Sequence, residues 1–249
     1  MIDFHTHILP NIDDGAKDDS VSAEILRQES AQGVHKIVFS PHYYGTCSVR
    51  SFLQTRGEAW ARIRALLPQG MEIRLGAEVH ITGVNDPPHE SLCALAIEGT
   101  KCVLFEFPFL TEWSGGLIDA VGDFAADTGY KPIIAHAERY AEIRQEPSLL
   151  TAFAEMGCYV QLNTRAFLEK NSKGFAFAAL KNGLVHCLGT DAHDAQIRRP
   201  DYEQAKLAVC AAGYGEEWEN VQETMRKIWA GETPSVSFGM MKKTLGFYR

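Results

Sequence analysis

Histidines and carboxylates recur in this sequence where short apolar runs end, and that placement is what could do chemistry. His5-Thr6-His7 closes the first run, and residues two apart on a strand share a face, so two imidazoles can reach one ion. Asp13-Asp14-Gly15 follows in the next loop, from which the Asp14 carboxylate can fold back over the strand end. His42 ends the second run, Glu78 the third, Glu106 the fourth and His136 the fifth, while Asp191 and His193 end the seventh, again two apart. These nine side chains are five imidazoles and four carboxylates. That is more than a single tetrahedral zinc uses, and a natural set for several ions sharing bridging carboxylates.

Each residue also has a plainer reading. A lone histidine at a strand end is more often a hydrogen-bonded structural residue, and Asp14 beside Gly15 is most simply an acidic turn residue. Glu78 and Glu106 resist that reading. Each interrupts an apolar strand, Leu75-Gly76-Ala77 and Val103-Leu104-Phe105, and a buried carboxylate needs a compensating partner. The joint pattern therefore points to a metal centre. Arg139, in His-Ala-Glu-Arg-Tyr, and Arg198, in Asp-Ala-His-Asp-Ala-Gln-Ile-Arg-Arg-Pro, fall on the same face. Guanidinium groups suit phosphate because their donors match two oxygens at once; Arg199 competes for the second role. His35, His89 and His186 read as structural, and His80 as a rim residue rather than a ligand. Tyr43 and Tyr44 either flank a substrate ring or pack their loop.

Cysteine-based phosphate chemistry is excluded by spacing. None of the six cysteines has an arginine at the distance a single phosphate-cradling loop requires. There is no G-x-S-x-G elbow and no Walker-type loop. If this chain cleaves phosphate esters, the expected nucleophile is water activated by metal.

The elements that must position these groups are legible as alternating runs. The apolar ones are Ile2 to His7, Lys36 to Ser40, Ile73 to Ala77, Cys102 to Phe107, Pro132 to Ala135, Tyr159 to Asn163 and Val185 to Gly189. Helix-like stretches lie between them at Asp18 to Gln32, Val49 to Leu67, Gly116 to Thr128, Pro147 to Met156 and Pro200 to Ala212. Such alternation implies an α/β chain with a parallel sheet, most simply a barrel or a barrel lacking one unit, whose strand ends share one rim. Thr82 to Glu90, with Asn85-Asp86-Pro87-Pro88, reads as a loop.

At 249 residues and 45% apolar, the chain fits one domain with a substantial core. A net charge of −8 disfavours a broad nucleic-acid-binding face. No secretory signal or membrane-spanning run is visible, and the scattered cysteines form no C-x-x-C pair, so a reducing cytoplasm is the expected compartment.

Taken together these residues resemble the PHP (polymerase and histidinol phosphatase) superfamily, in particular the bacterial PHP-type protein tyrosine phosphatases of capsule and exopolysaccharide operons. The resemblance is carried by Met-Ile-Asp-Phe-His-Thr-His-Ile-Leu-Pro-Asn-Ile-Asp-Asp-Gly at the start, then by Ser-Pro-His (40–42), Gly-Ala-Glu (76–78) and Phe-Glu-Phe (105–107). Ile-Ala-His-Ala-Glu-Arg-Tyr (134–140), Met-Gly-Cys-Tyr-Val-Gln-Leu-Asn (156–163) and Gly-Thr-Asp-Ala-His (189–193) continue it in order. It implies a distorted (β/α)7 barrel over residues 1–249, holding three divalent metals, usually manganese, with iron, cobalt or zinc as alternatives. The implied ligands are His5, His7, Asp14, His42, Glu78, Glu106, His136, Asp191 and His193, with Arg139 and Arg198 on the substrate phosphate. The implied substrate is phosphotyrosine, notably the tyrosine-rich tail of a bacterial tyrosine kinase that controls capsule or exopolysaccharide synthesis. Neither nucleic acid nor membrane insertion is implied. The compact segment Val79 to Leu104 and the doubled Arg198-Arg199 depart from the pattern. They leave open a small-molecule phosphatase on the same fold and, further off, a nuclease or a silent metal-binding scaffold.

Overall fold

Apolar runs too short for helices satisfy their backbone groups by lying side by side as parallel strands under covering helices. The computed structural model describes residues 1–83, 86–109, 113, 115–244 and 246–248. In it every apolar run named above contributes a strand. The first half of the chain runs β1 (Ile2–Thr6), α1 (Asp19–Ala31), β2 (Lys36–Phe39), β3 (His42–Tyr43), α2 (Val49–Ile63), β4 (Glu72–Leu75), β5 (Glu78–His80), α3 (His89–Cys93) and β6 (Cys102–Glu106). Then come α4 (Gly115–Thr128), β7 (Lys131–Ile134), α5 (Ala141–Gln145), α6 (Ser148–Glu155), β8 (Tyr159–Asn163), α7 (Lys173–Lys181) and β9 (Cys187–Gly189). Helices α8 (Tyr202–Ala211) and α9 (Gly215–Trp229) follow, and a short hairpin of β10 (Lys243–Thr244) and β11 (Phe247–Tyr248) comes last.

Side-chain caps set the starts of the first two helices. The Asp18 carboxylate accepts from Val21 N at 2.9 Å to cap α1, and the Ser48 hydroxyl accepts from Ser51 N at 3.2 Å to cap α2. Strands β1, β6 and β8 are buried along their whole length, as expected of a parallel sheet covered on both faces.

Two strands are broken where the sequence reading ran them on. Pro41 has no N–H to offer, so β2 stops and the chain resumes as β3; Gly76-Ala77 separates β4 from β5, glycine inside a strand weakening it for want of a side chain to pack. The pairing therefore divides into a sheet of order β1-β2-β4 and a sheet of order β3-β5-β6-β7-β8-β9. Gly76 N donates to Phe39 O at 2.8 Å and Glu78 N to Pro41 O at 3.0 Å, which carries the pairing across both breaks. His42 and Glu78 thus begin short strands rather than ending long ones. The loop reading holds for 82–83 and 86–88, but His89 and Glu90 already belong to α3, and Val84 and Asn85 lie outside the described residues.

The curled sheet returns on itself where β9 approaches β1. Asp191 N donates to His5 O at 2.8 Å, His7 N to Ala192 O at 2.9 Å, and Thr6 and Ala192 form a parallel bridge. Glycine makes this approach possible, because a Cβ on Gly189 would stand 2.4 Å from His5 Cβ. Beneath the seam Thr190 N and His5 N both donate to Asp3 Oδ1, at 3.1 and 3.0 Å, and the Thr190 hydroxyl donates to Asp3 Oδ2 at 2.6 Å. Helix α9 buries Trp218, Val221, Met225 and Ile228 at helical spacing. Among the described residues no helix is long and apolar enough to cross a membrane.

Candidate metal centre

All nine residues predicted as ligands converge on one rim. His5 and His7 come from the end of β1, His42 and Glu78 from the starts of β3 and β5, Glu106 from the end of β6, and His136 from the residues after β7. Asp14 arrives from the loop after β1, and Asp191 and His193 from the turn after β9. Their donor atoms form four overlapping groups, each within 4.8 Å: His7, Asp14, His42 and His193; His5, Glu78 and His136; His5, His7 and Asp191; His42, Glu78 and Glu106. Because His5, His7, His42 and Glu78 each belong to two groups, the arrangement is one linked cluster. His136 and Asp191 hold left-handed backbone, with φ of 30° and 54°. Such conformations are unfavourable for residues with a side chain and concentrate at functional sites.

The hydrogen bonding tests whether cations fit. His7 Nδ1 lies 2.7 Å from Asp13 Oδ2, and His5 Nδ1 lies 3.2 Å from Gln161 Oε1. Both Nδ1 atoms therefore donate, so each Nε2 is the atom left for a cation. At His7 burial is overcome by Asp13 and Glu78 and the ring is raised well above the ordinary histidine value, so a proton takes that place when no metal does. Those two Nε2 atoms face each other at 3.1 Å. Two lone pairs at that distance repel unless a positive charge lies beside them. Glu78 Oε2 supplies negative charge on the same spot, 3.1 Å from His5 Nε2, 3.2 Å from His7 Nε2 and 3.1 Å from His42 Nδ1. Glu78 Oε2, His42 Nδ1 and His193 Nε2 are buried with no hydrogen-bond partner among the described residues. His193 Nδ1 is already turned to Asp191 O at 2.8 Å, so its free Nε2 presents a lone pair toward Asp14. Nitrogen and carboxylate donors with no thiolate suit borderline and hard divalent ions. The residues fit.

Ionisation follows the same geometry. Burial would raise the Glu78 carboxyl, but His5 and His136 outweigh it and hold it well below the usual carboxylate range. Glu106 is likewise brought down to about 2, burial being overcome by the neighbouring His136 and His80 at 3.6 and 3.5 Å. His136 is lifted to about 9 because Glu78 and Glu106 overcome the downward effect of burial. His193 goes the other way, to about 3, through burial and the neighbouring His7.

Both predicted arginines reach the cluster. Arg139 Nη1 donates to Asp191 Oδ2 at 3.2 Å and Arg198 Nη2 donates to the same oxygen at 2.9 Å. They line a cavity of about 590 Å³ together with Phe109, Asn163 and Asp191. Arg199 is exposed and stands outside that lining, so the geometry favours Arg198. On the other flank a cavity of about 400 Å³ is lined by Asp14, His42, Tyr43 and Tyr44. The two tyrosines part ways there. Tyr43 is buried and its hydroxyl donates to Cys47 O, whereas Tyr44 is 54% exposed and stacks on the His42 ring. His80 stands 3.5 Å from Glu106 and belongs to none of the donor groups. A larger cavity of about 660 Å³, between α7, α9 and the segment 235–239, contains none of the nine. Size does not mark this site.

Sequence reasoning missed the residues that orient the donors. Asp13, taken only as Asp14's neighbour, fixes the His7 tautomer and accepts from His42 N at 3.0 Å. Gln161 accepts from His136 N at 2.6 Å and faces His5, and its amide donates to Asn163 Oδ1 at 2.9 Å. Asn163 in turn donates to Asp191 Oδ2 at 3.1 Å. The signal was present, since two polar side chains two apart on a wholly buried strand share a face and need partners.

The family model for capsular polysaccharide synthesis, CpsB/CapC, matches residues 1–225. The chain is 31% identical over 229 residues to the tyrosine-protein phosphatase YwqE of Bacillus subtilis, covering 87% of this chain and 86% of that protein. It is 28% identical over 235 residues to the tyrosine-protein phosphatase CpsB of Streptococcus agalactiae serotype III, covering 88% and 93%. A crystal structure described with YwqE from Bacillus subtilis and CpsB from Streptococcus pneumoniae, as unique metal-dependent tyrosine phosphatases, superposes with a TM-score of 0.81 at 28% identity, covering 98% of this chain and 100% of the other. The architecture, a curled parallel sheet flanked by helices, is thus shared with a solved relative, and the chain belongs to the CpsB/CapC family.

Proposed function

We propose that residues 1–249 act as one PHP-type domain, a metal-dependent protein-tyrosine phosphatase. Its substrate on this reading is a phosphotyrosine protein, the tyrosine-rich tail of a bacterial tyrosine kinase governing capsule or exopolysaccharide synthesis. The observation that carries the proposal is the meeting of nine nitrogen and carboxylate donors with two guanidinium groups on one rim. The linked donor groups support a cluster of three divalent ions, and the absence of thiolate among them is compatible with manganese. Six cysteines without a disulfide agree with a reducing cytoplasm.

Phosphate-monoester hydrolysis must bring an anionic nucleophile to an anionic group. Bound divalent metals supply the remedy for both halves, lowering the pKa of water toward about 7 and neutralising phosphate oxygens. The protein's own part is orientation. Arg139 and Arg198 meet at a single Asp191 oxygen and Arg198 Nη1 also faces Asp14 Oδ2 at 3.6 Å, so their remaining guanidinium N–H groups are the ones that can turn to the phosphoryl oxygens. Tyr44, exposed on the opposite flank, offers an apolar face to a tyrosyl ring, while Phe109 packs against the Arg139 guanidinium at 4.5 Å and stacks on Tyr140 at 5.1 Å.

The test is to strip metal with a chelator, restore manganese, and follow hydrolysis of a phosphotyrosine peptide. Activity should vanish and return; unchanged hydrolysis by the stripped protein would end the proposal. Arg139→Ala should lower kcat/KM by about 10²–10³ with bound metal retained. Histidinol phosphate in the same assay separates a small-molecule phosphatase from one acting on protein.

A further inference from the structure

In a chain of net charge −8, four arginines line one cavity beside the metal rim: Arg139, Arg144, Arg165 and Arg198. Three are engaged. Arg139 and Arg198 hold Asp191, while Arg165 donates through Nε to Asp201 Oδ2 at 3.1 Å and through Nη1 to Ile197 O at 2.9 Å. The Arg144 guanidinium has no hydrogen bond or ion pair among the described residues, and the acids on the same wall, Glu138 and Glu169, make no ion pair with it. Its backbone, by contrast, is held firmly. Arg144 N donates to Tyr140 O at 3.1 Å, and its carbonyl accepts from Lys243 Nζ at 3.0 Å and from the Tyr248 hydroxyl at 3.1 Å. A fixed backbone carrying an unpaired planar cation into a cavity is a recognition element waiting for an anion.

The cavity is larger than one phosphoryl group requires. Its volume of about 590 Å³ falls among pockets that enclose drug-sized ligands. Arg139 ends the turn Ala137–Arg139, Arg144 lies in α5 just after it, and both line the same cavity, so a chain bound with its phosphate at Arg139 can bring a nearby group to Arg144. We propose that Arg144 receives a second negative group on the substrate, a carboxylate or a phosphate carried a few residues from the phosphotyrosine being cleaved. This rests on the phosphatase reading and adds a preference to it: substrates with clustered negative charge over isolated phosphotyrosine.

The experiment uses the manganese-loaded protein and three phosphotyrosine peptides that differ only in the flanking position, which is alanine, glutamate or a second phosphotyrosine. Values of kcat/KM are measured on the hydrolysable peptides, and Kd values on matched peptides carrying a non-hydrolysable phosphonate at the reacting position. Wild-type protein should favour glutamate, second phosphotyrosine or both over alanine by about tenfold, the scale of one hydrogen-bonded ion pair. Which of the two is favoured identifies the natural anion. Arg144→Gln should compress that ratio toward one, Arg144→Lys should keep part of it, and Arg144→Glu should reverse it. A wild-type preference absent from both measurements, or one that survives in Arg144→Gln, overturns the proposal while leaving phosphatase activity intact. Failure of wild type to hydrolyse any peptide while the Kd order holds overturns the phosphatase reading and leaves the second anion position standing.

Discussion

His136 and His186 are equally buried, at 1% and 2% exposure, yet lie at opposite ends of the curled sheet and in opposite electrostatic worlds. Burial pushes both imidazoles toward the neutral form. At His186 little opposes it and the ring falls to about 4, its Nδ1 accepting from Val160 N at 2.9 Å. At His136 the Glu78 and Glu106 carboxylates overcome burial and lift the ring to about 9. The lesson is that a buried histidine does not announce a metal centre; its distance from buried carboxylates does. This protein gathers those carboxylates at the rim where β1, β6, β7 and β9 end.

The contrast is broken most forcefully at Glu78. Glu78→Gln keeps the shape and removes the charge shared by two donor groups, so bound metal should fall and phosphotyrosine hydrolysis should drop by about 10³-fold or more. In the metal-free variant the His136 titration, followed by NMR, should move down toward that of His186. Full metal content in this variant would dissolve the distinction between the two ends.

A smaller effect is expected at Asp13, which touches no predicted position for an ion but sets the His7 tautomer. Asp13→Asn should weaken metal affinity by about 10–100-fold, read by competition with a chelator of known strength. No change in affinity would mean that the hydrogen bond does not tune the ligand.

The smallest effect on activity belongs to His186→Gln, which keeps an acceptor for Val160 N but cannot titrate. An unfolded chain takes up a proton at the ordinary histidine value of 6.5, whereas the folded chain refuses it until about 4. Stability at His186 is therefore present above 6.5 and drains away as pH falls through that window, by on the order of 3 kcal/mol. Denaturant titrations between pH 7 and pH 4 should show a flatter decline in the variant than in wild type, with metal content and kcat unchanged. An identical decline in both would place the acid sensitivity elsewhere.

Eight of the nine predicted donors were readable because each lies in or just after an apolar run, and strand ends converge wherever such runs lie parallel, whereas Asp14 stands in a loop. Glu78 and Glu106 were the clearest, since an acid inside an apolar strand demands a partner. What escaped was the geometry between donors. The breaks at Pro41 and Gly76, which turn two strands into four, depend on how neighbouring strands pair across them. The left-handed backbone of His136 and Asp191 leaves no mark in composition. Helix α9 went unread although its apolar period is strong, because it starts after Tyr214 with no side-chain cap. Helix α7, Lys-Gly-Phe-Ala-Phe-Ala-Ala-Leu-Lys, is apolar around most of its circumference and shows no stripe.

The seam between β1 and β9 gives the enzyme a sense of its own completion. Asp3 and Thr190, which clasp across it, stand 187 residues apart, and the group formed by His5, His7 and Asp191 spans nearly the same interval. Contacts so remote form late and slowly, because the entropy of closing the intervening loop must be overcome first. A nascent polypeptide on the ribosome carries His5 and His7 long before Asp191 and His193 exist to join them. The group is therefore complete only once the chain has been made past His193, and a fragment released before Asp191 lacks it.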